Sequence, residues 1–184
     1  WNRVALARVF EAKRRPSFDP LIVHVAEPSG ASEVADLSAR YAATLAERFW
    51  PGPLTMVLPK LERVPDLATS GLPTVAVRCP ANAVAREIIR RSGVPVAAPS
   101  ANPFGYLSPT RAEHVVAQLG DRVDFIVDGG RCPVGVESTV LDLSSDEPLV
   151  LRPGGLPVEL IAEVIPGVRV YDRATTSPTA PGQL

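Results

Sequence analysis

Cations, hydroxyls and side-chain amides stand at the ends of apolar runs in this sequence, an inventory suited to holding oxyanions. The run Val94-Pro95-Val96-Ala97-Ala98 hands over to Pro99-Ser100-Ala101-Asn102. In open α/β folds ligands bind at such strand ends, and small polar side chains leave room while offering donors and acceptors. Gly135-Val136-Glu137-Ser138-Thr139-Val140 repeats the pattern, and Val150-Leu151-Arg152-Pro153-Gly154-Gly155 ends a run on a cation. Thr74-Val75-Ala76-Val77-Arg78 alternates, so Thr74, Ala76 and Arg78 share one face of a strand. That face could bind a carboxylate or a phosphate, although a solvent-facing strand explains the same pattern. Lys13-Arg14-Arg15-Pro16 places a basic turn before Pro20-Leu21-Ile22-Val23-His24. It reads either as an anion clamp or as helix-end charge beside a surface histidine. Taken singly, Ser100, Ser108, Ser138 and Arg152 also read as caps or turn formers.

Other chemistries find less support. Gly130-Arg131-Cys132-Pro133-Val134-Gly135 has the outer glycine spacing of a phosphate loop, but Val136 stands where the lysine is required. No Gly-x-Gly-x-x-Gly follows a strand, and no Ser-His-Asp or Cys-His set is evident. Spacing alone pairs none of the acids Asp128, Glu137, Asp142 and Asp146. The two cysteines, Cys79 and Cys132, and the two histidines, His24 and His114, are too scattered for a metal site. A reduced, cytoplasmic setting is expected from this cysteine usage. What remains is catalysis by positioning and charge, as in nucleotidyl or acyl-phosphate transfer.

The elements that must position these groups follow from pattern and punctuation. The chain has 184 residues, enough for one domain with its own core, and a net charge of −1 that gives no bulk drive toward nucleic acid or membrane. Asn2 to Arg14 reads as a helix ended by Pro16, and Leu21 to Ala26 as a strand. A long helix capped by Ser29 or Ser32 is expected to run to about Phe49, before Pro51-Gly52-Pro53. Leu54 to Leu58 and Thr74 to Arg78 read as strands, and Asn82 caps a helix through Arg91 that closes at Gly93. Val94 to Ala98 is expected to be a buried strand. Ser108-Pro109 starts a helix to Leu119, closed by Gly120. Phe125 to Val127, Thr139 to Leu143 and Leu149 to Leu151 read as strands, the last two joined by a hairpin. Val158 to Val164 is a short helix and Val168 to Tyr171 a final strand. Alternating strands and helices with a hairpin imply an α/β or α+β domain with a mixed sheet. From Arg173 the composition turns to Thr, Ser, Pro, Ala and Gly, which reads as a linker.

Segments in a fixed order carry a resemblance. They are Glu11-Ala12-Lys13-Arg14-Arg15-Pro16, Pro20-Leu21-Ile22-Val23-His24-Val25, Trp50-Pro51-Gly52-Pro53-Leu54-Thr55, Val75-Ala76-Val77-Arg78, Pro99-Ser100-Ala101-Asn102, Ser108-Pro109-Thr110, Glu137-Ser138-Thr139-Val140 and Arg152-Pro153-Gly154. Together the chain resembles the YrdC-like threonylcarbamoyl-AMP synthase family over roughly residues 3 to 160. The resemblance implies a twisted mixed α/β sheet flanked by helices, with a concave basic cavity. It implies synthesis of threonylcarbamoyl-AMP and pyrophosphate from L-threonine, bicarbonate and ATP, with Mg2+ accompanying ATP. The product would feed threonylcarbamoyladenosine modification of tRNA, so the downstream partners are the tRNA-modification machinery; no membrane partner is expected.

By position, Lys13 and Arg15 resemble the basic pair facing the nucleotide phosphates and stand as the catalytic candidates. Asp19, Thr74, Ser100, Asn102, Ser108 and Arg152 match nucleotide-site positions. His24, Arg78 and Ser138 match threonine contacts, with Arg78 on the carboxylate. No magnesium ligand is assigned. Asp19 stands where asparagine is frequent in the family. The family's opening strand, with its Thr-Glu-Thr-Val-Tyr-Gly-Leu-Gly-like segment, is not found here. Residues 1–172 are thus expected to form an N-terminally incomplete catalytic domain, and 173–184 a linker toward a C-terminal domain. Two other readings stay open: an RNA-binding module without catalysis, and the carbamoyl-transfer domain of a maturation protein.

Overall fold

A computed structural model describes residues 1–172 and 180–181. Helix α1 spans Arg3–Lys13, its first turn capped by the Asn2 side chain, which accepts from the Ala5 amide at 3.1 Å. It ends where Arg14 turns left-handed (φ 52°), a conformation a non-glycine residue rarely takes, and the Arg15 amide closes onto the Phe10 carbonyl. That turn aims Lys13 inward.

Strands β1 (Ile22–His24), β2 (Leu54–Pro59), β3 (Thr74–Arg78), β4 (Val96–Ala97), β5 (Thr139–Asp142), β6 (Leu149–Arg152) and β7 (Arg169–Val170) form one mixed sheet in the order β4-β1-β3-β2-β5-β6-β7. β1 runs parallel to β3 and β2 parallel to β5, whereas β2–β3, β1–β4 and β5–β6 are antiparallel. β2 lies mid-sheet and is buried along nearly its whole length, which is why it reads as a continuous apolar run.

Further helices are α2 (Ala42–Phe49), α3 (Asp66–Thr69), α4 (Ala83–Ser92), α5 (Ala112–Leu119) and α6 (Val158–Ala162). The pleat gives the sheet two different faces. Val23, Leu54, Met56, Leu58, Val75, Val77, Leu141 and Val150 pack against Leu6 and Phe10 of α1, Leu45 of α2 and Ile161 of α6 in the main core. On the other face, Ile22, Val57, Ala76, Val140 and Leu151 form a smaller cluster with Tyr171 and Ala180.

Several sequence expectations change. The helix expected from Ser29 or Ser32 to Phe49 is a 3-10 turn, Pro28–Glu33, followed only later by α2. Between them the chain leaves helical geometry to join the sheet margin. The Asp36 amide donates to Pro59 O and the Leu61 amide to Val34 O, both at 2.9 Å, and the Asp36 carboxylate takes the Ser38 amide. Such a local side-chain turn competes with helix. The strand at Val94–Ala98 shrinks to β4 and is not buried: it is an edge strand, and Val94 is 57 % exposed. Phe125 to Val127 pairs with nothing among the described residues, leaving Phe125 89 % exposed. α5 starts at Ala112 rather than at Ser108, whose hydroxyl is engaged elsewhere. α3 was not anticipated. The linker expected at 173–184 falls mostly outside the described residues. Its described part, Ala180 and Pro181, lies against the second face of the sheet.

Candidate functional site

Strand directions gather the polar groups at one end of the sheet. β1 and β3 finish there with His24 and Arg78, which are register partners. β2 and β5, running oppositely to β3, begin there with Leu54 and Thr139, and β6 ends there on Arg152. Pleat alternation keeps His24, Arg78, Thr55 and Ser138 on the face opposite the main core.

Arg78 donates its Nε–H to the Gly52 carbonyl at 3.0 Å, and its terminal nitrogens have no partner among the described residues. Arg152 donates from Nη2 and Nε to the Ser138 carbonyl at 2.8 and 3.3 Å, with the Ser138 hydroxyl 3.4 Å from Nη2. Ser138 and Thr55 are both buried and share a hydrogen bond of 2.7 Å between their hydroxyls. Gly154 explains how Arg152 and Ser138 come so close. A Cβ there would lie 2.5 Å from the Glu137 carbonyl oxygen and within 2.7 Å of Ser138 backbone atoms, so only glycine lets the chain after β6 lie on that backbone.

The end of α1 supplies the facing wall. Lys13 is buried, and its ammonium donates to the carbonyls of Ser100 and Asn102, with the Asn102 side-chain oxygen at 3.4 Å. Asn102 is buried as well, and its Nδ2 donates to Tyr106 O at 2.6 Å. Arg15 donates to the carbonyls of Asp19 and Pro20 at 3.0 and 2.8 Å and pairs with the Asp19 carboxylate at 2.8 Å. Ser108 donates to Glu137 Oε1 at 2.6 Å, tying the loop after Asn102 to the segment before β5. Ser100 itself is exposed.

The charges feel one another. Burial, reinforced by Arg15 and partly offset by Asp19, lowers the Lys13 ammonium to about 8. Burial and then Arg78 push His24 down to about 4, so the imidazole is neutral near pH 7; its Nδ1 is buried without a hydrogen-bond partner. Burial lowers Arg78, with Arg152 adding repulsion. Burial also lowers Arg152, against attraction from Glu137 and Asp19. Both guanidinium groups stay charged regardless. The hydrogen bond from Ser108, aided by Arg152, holds Glu137 below the usual carboxylate range.

Of the residues singled out from sequence, Lys13, Arg15, Asp19, His24, Arg78, Ser138 and Arg152 thus fall into one electrostatic neighbourhood, with Ser100, Asn102 and Ser108 on its rim. Thr74 does not join them. It begins β3, four residues from Arg78 and about 13 Å away along the strand. There it lines a small cleft with Val57, Ala76, Ala180 and Pro181. Thr55 carries a signal the sequence reading does not use, a lone hydroxyl inside the apolar run Leu54 to Leu58. Glu137 is one of the acids that spacing leaves unpaired, because its partner Ser108 is 29 residues distant. Among the described residues no three His, Cys, Asp or Glu side chains gather to hold a metal ion. The nearest carboxylates, Asp19 and Glu137, are engaged by Arg15 and Ser108, so the donor set does not fit a resident magnesium site.

Fold and site together define a mixed α/β protein with a cluster of cations and hydroxyls, suited to receive anions, at one end of its sheet. The family model described as Sua5/YciO/YrdC, "Telomere recombination", matches residues 1–154, and the chain belongs to that family. It is 49 % identical over 182 residues to the threonylcarbamoyl-AMP synthase of Pyrococcus abyssi, covering 97 % of this chain and 54 % of that protein. It is 48 % identical over 170 residues to that of Bacillus subtilis, covering 92 % and 49 %. The crystal structure of P. abyssi Sua5 complexed with L-threonine superposes with a TM-score of 0.95 at 47 % identity, covering 99 % of this chain and 55 % of that one. The chain therefore spans about half the length of these relatives.

Proposed function

We propose that the protein takes part in making threonylcarbamoyl-AMP and pyrophosphate from L-threonine, bicarbonate and ATP. The observation that carries this reading is Arg78 and Arg152, two half-buried cations converging on one end of the sheet with N–H groups that have no partner among the described residues, beside a neutral histidine. One anion at each accounts for a carboxylate and a phosphate chain in the same cleft. The likeness to a relative solved with L-threonine supports the amino-acid half.

Threonine would place its carboxylate on Arg78, with His24 and Ser138 beside it. ATP would lie along Ser100, Asn102, Ser108 and Arg152, with Lys13, Arg15 and the Asp19 carboxylate setting the local field. Thr74 lies too far along β3 to share in this pose. Threonine's amine and bicarbonate combine to a carbamate with loss of water. A carbamate oxygen then bonds to the α-phosphorus of ATP as the bond to the pyrophosphate oxygen breaks. No nucleophile–base pair is found among the described residues, so the protein contributes alignment and cationic stabilisation of the charge that builds on the phosphates. Magnesium enters as the counter-ion of ATP, since no group of acids among the described residues gathers to seat it.

Calorimetry with ATP–magnesium and L-threonine, each alone and then together, tests the reading. Binding of both is expected, each strengthened or unaffected by the other. Failure of the intact, folded protein to bind either one contradicts it.

A further inference from the structure

The lysine that ends α1 is surrounded by the loop it faces, not by open cleft. Its ammonium donates to the carbonyls of Ser100 and Asn102, and the Asn102 amide oxygen stands at 3.4 Å. The link runs both ways, because the Phe104 amide donates to Lys13 O at 2.9 Å. Asn102 passes the constraint on through its bond to Tyr106 O, and Ser108 carries it to Glu137. The loop from Pro99 to Ser108 contains no regular helix or strand; Asn102 and Pro103 are buried, but Gly105, Tyr106 and Leu107 are exposed, so packing holds little of its outer part. An ammonium has three donors and this one meets three carbonyl-type oxygens, which leaves no N–H directed at a ligand.

We infer that Lys13 is a positioning residue: its ammonium clasps the Ser100–Asn102 turn and so fixes the rim of the nucleotide pocket, rather than contacting the phosphates. The inference deepens the ATP half of the proposed function and rests on it only for the ligand measurement. In the ligand-free protein the clasp has consequences of its own.

Hydrogen exchange of the ligand-free protein, wild type against Lys13→Met, reads it directly. The clasp predicts that amides from 99 to 106 exchange about tenfold faster in the variant, while β2 and β3 keep their protection. It predicts a parallel loss of ATP affinity of about tenfold or more. Weaker ATP binding with unchanged loop exchange means that Lys13 touches the phosphates and overturns the inference, as does no change in either. If the wild type does not bind ATP, the proposed function fails, and loop exchange still decides the clasp.

Should Lys13→Met not fold, acylation of the wild type decides. The chain's other lysine, Lys60, is also tied down, by Asp66 and the Val64 carbonyl, so the side chain of a lysine in a short unstructured peptide serves as the reference. A clasped Lys13 reacts about tenfold or more slowly than that reference, with or without ATP, because it must first open. Fast reaction in the ligand-free protein that ATP suppresses overturns the clasp.

Discussion

Lys13 and Arg15 at the end of α1, and Arg78 and Arg152 on the sheet, are buried or half-buried cations in one neighbourhood, yet they are engaged differently. The α1 pair turns its donors onto the chain's own carbonyls, on the Ser100–Asn102 turn and on Asp19 and Pro20. The sheet pair makes three such bonds against four, and both terminal nitrogens of Arg78 have no partner among the described residues. Rigid strands need no help to hold a side chain, whereas irregular loops do. Cations beside loops therefore shape the site, and cations on strands are left to bind. The comparison separates stability from ligand affinity, and substitutions can break it.

The largest effect is expected from Arg15→Ala. It leaves the buried Asp19 carboxylate without its guanidinium, and denaturant melts should record a loss of about 3–5 kcal/mol. A loss below about 1 kcal/mol would place Arg15 with the binding cations instead. Arg78→Ala should do the reverse: threonine affinity falls by about 1.5–3 kcal/mol in calorimetry, with little change in melting. Gly154→Ala acts on the sheet pair through the backbone. Its Cβ collides with Glu137 and Ser138, and overpacking of this kind costs about 2 kcal/mol of stability and should displace Arg152, weakening ATP binding too.

His24 supplies a pH test. Its folded-state value is lowered from 6.5 to about 4, so between these limits the unfolded chain binds more protons. Its contribution is therefore present above pH 6.5 and lost as pH falls toward 4, and is worth about 2 kcal/mol once solvent screening of this half-buried residue is allowed for. His24→Gln should flatten that part of the stability profile. An unchanged slope would mean that the imidazole is solvated. Ser108→Ala is the mildest change: it removes one partly exposed hydrogen bond to Glu137, about 0.5–1 kcal/mol, and should raise the Michaelis constant for ATP more than it lowers the turnover number.

Some of this was legible in the sequence because the cause was local. Thr74–Arg78 is a strand as its alternation implies, and Asn82 and Gly93 bound α4 through their own cap geometry. The strand-end set His24, Arg78, Ser138 and Arg152 was readable for the same reason: each ends or precedes an apolar run. What depends on distant neighbours was not readable. Val94 to Ala98 and Phe125 to Val127 have the pattern of strands, but burial is decided by what lies beside them, an edge in one instance and no ladder in the other. The helix expected before Phe49 gives way to the Asp36–Ser38 turn and the bridge between Ala35 and Lys60. In the site, the basic pair at α1 was visible as charge, while its attachment to carbonyls 87 and 89 residues away was not.

The claim that this cleft joins an amino acid to a nucleotide is tested most directly by pyrophosphate release from the purified protein. The account predicts release above blank only when ATP, magnesium, L-threonine and bicarbonate are all present, and its loss in Arg78→Ala. No release from folded protein that contains every component, or release that is indifferent to threonine, would contradict it.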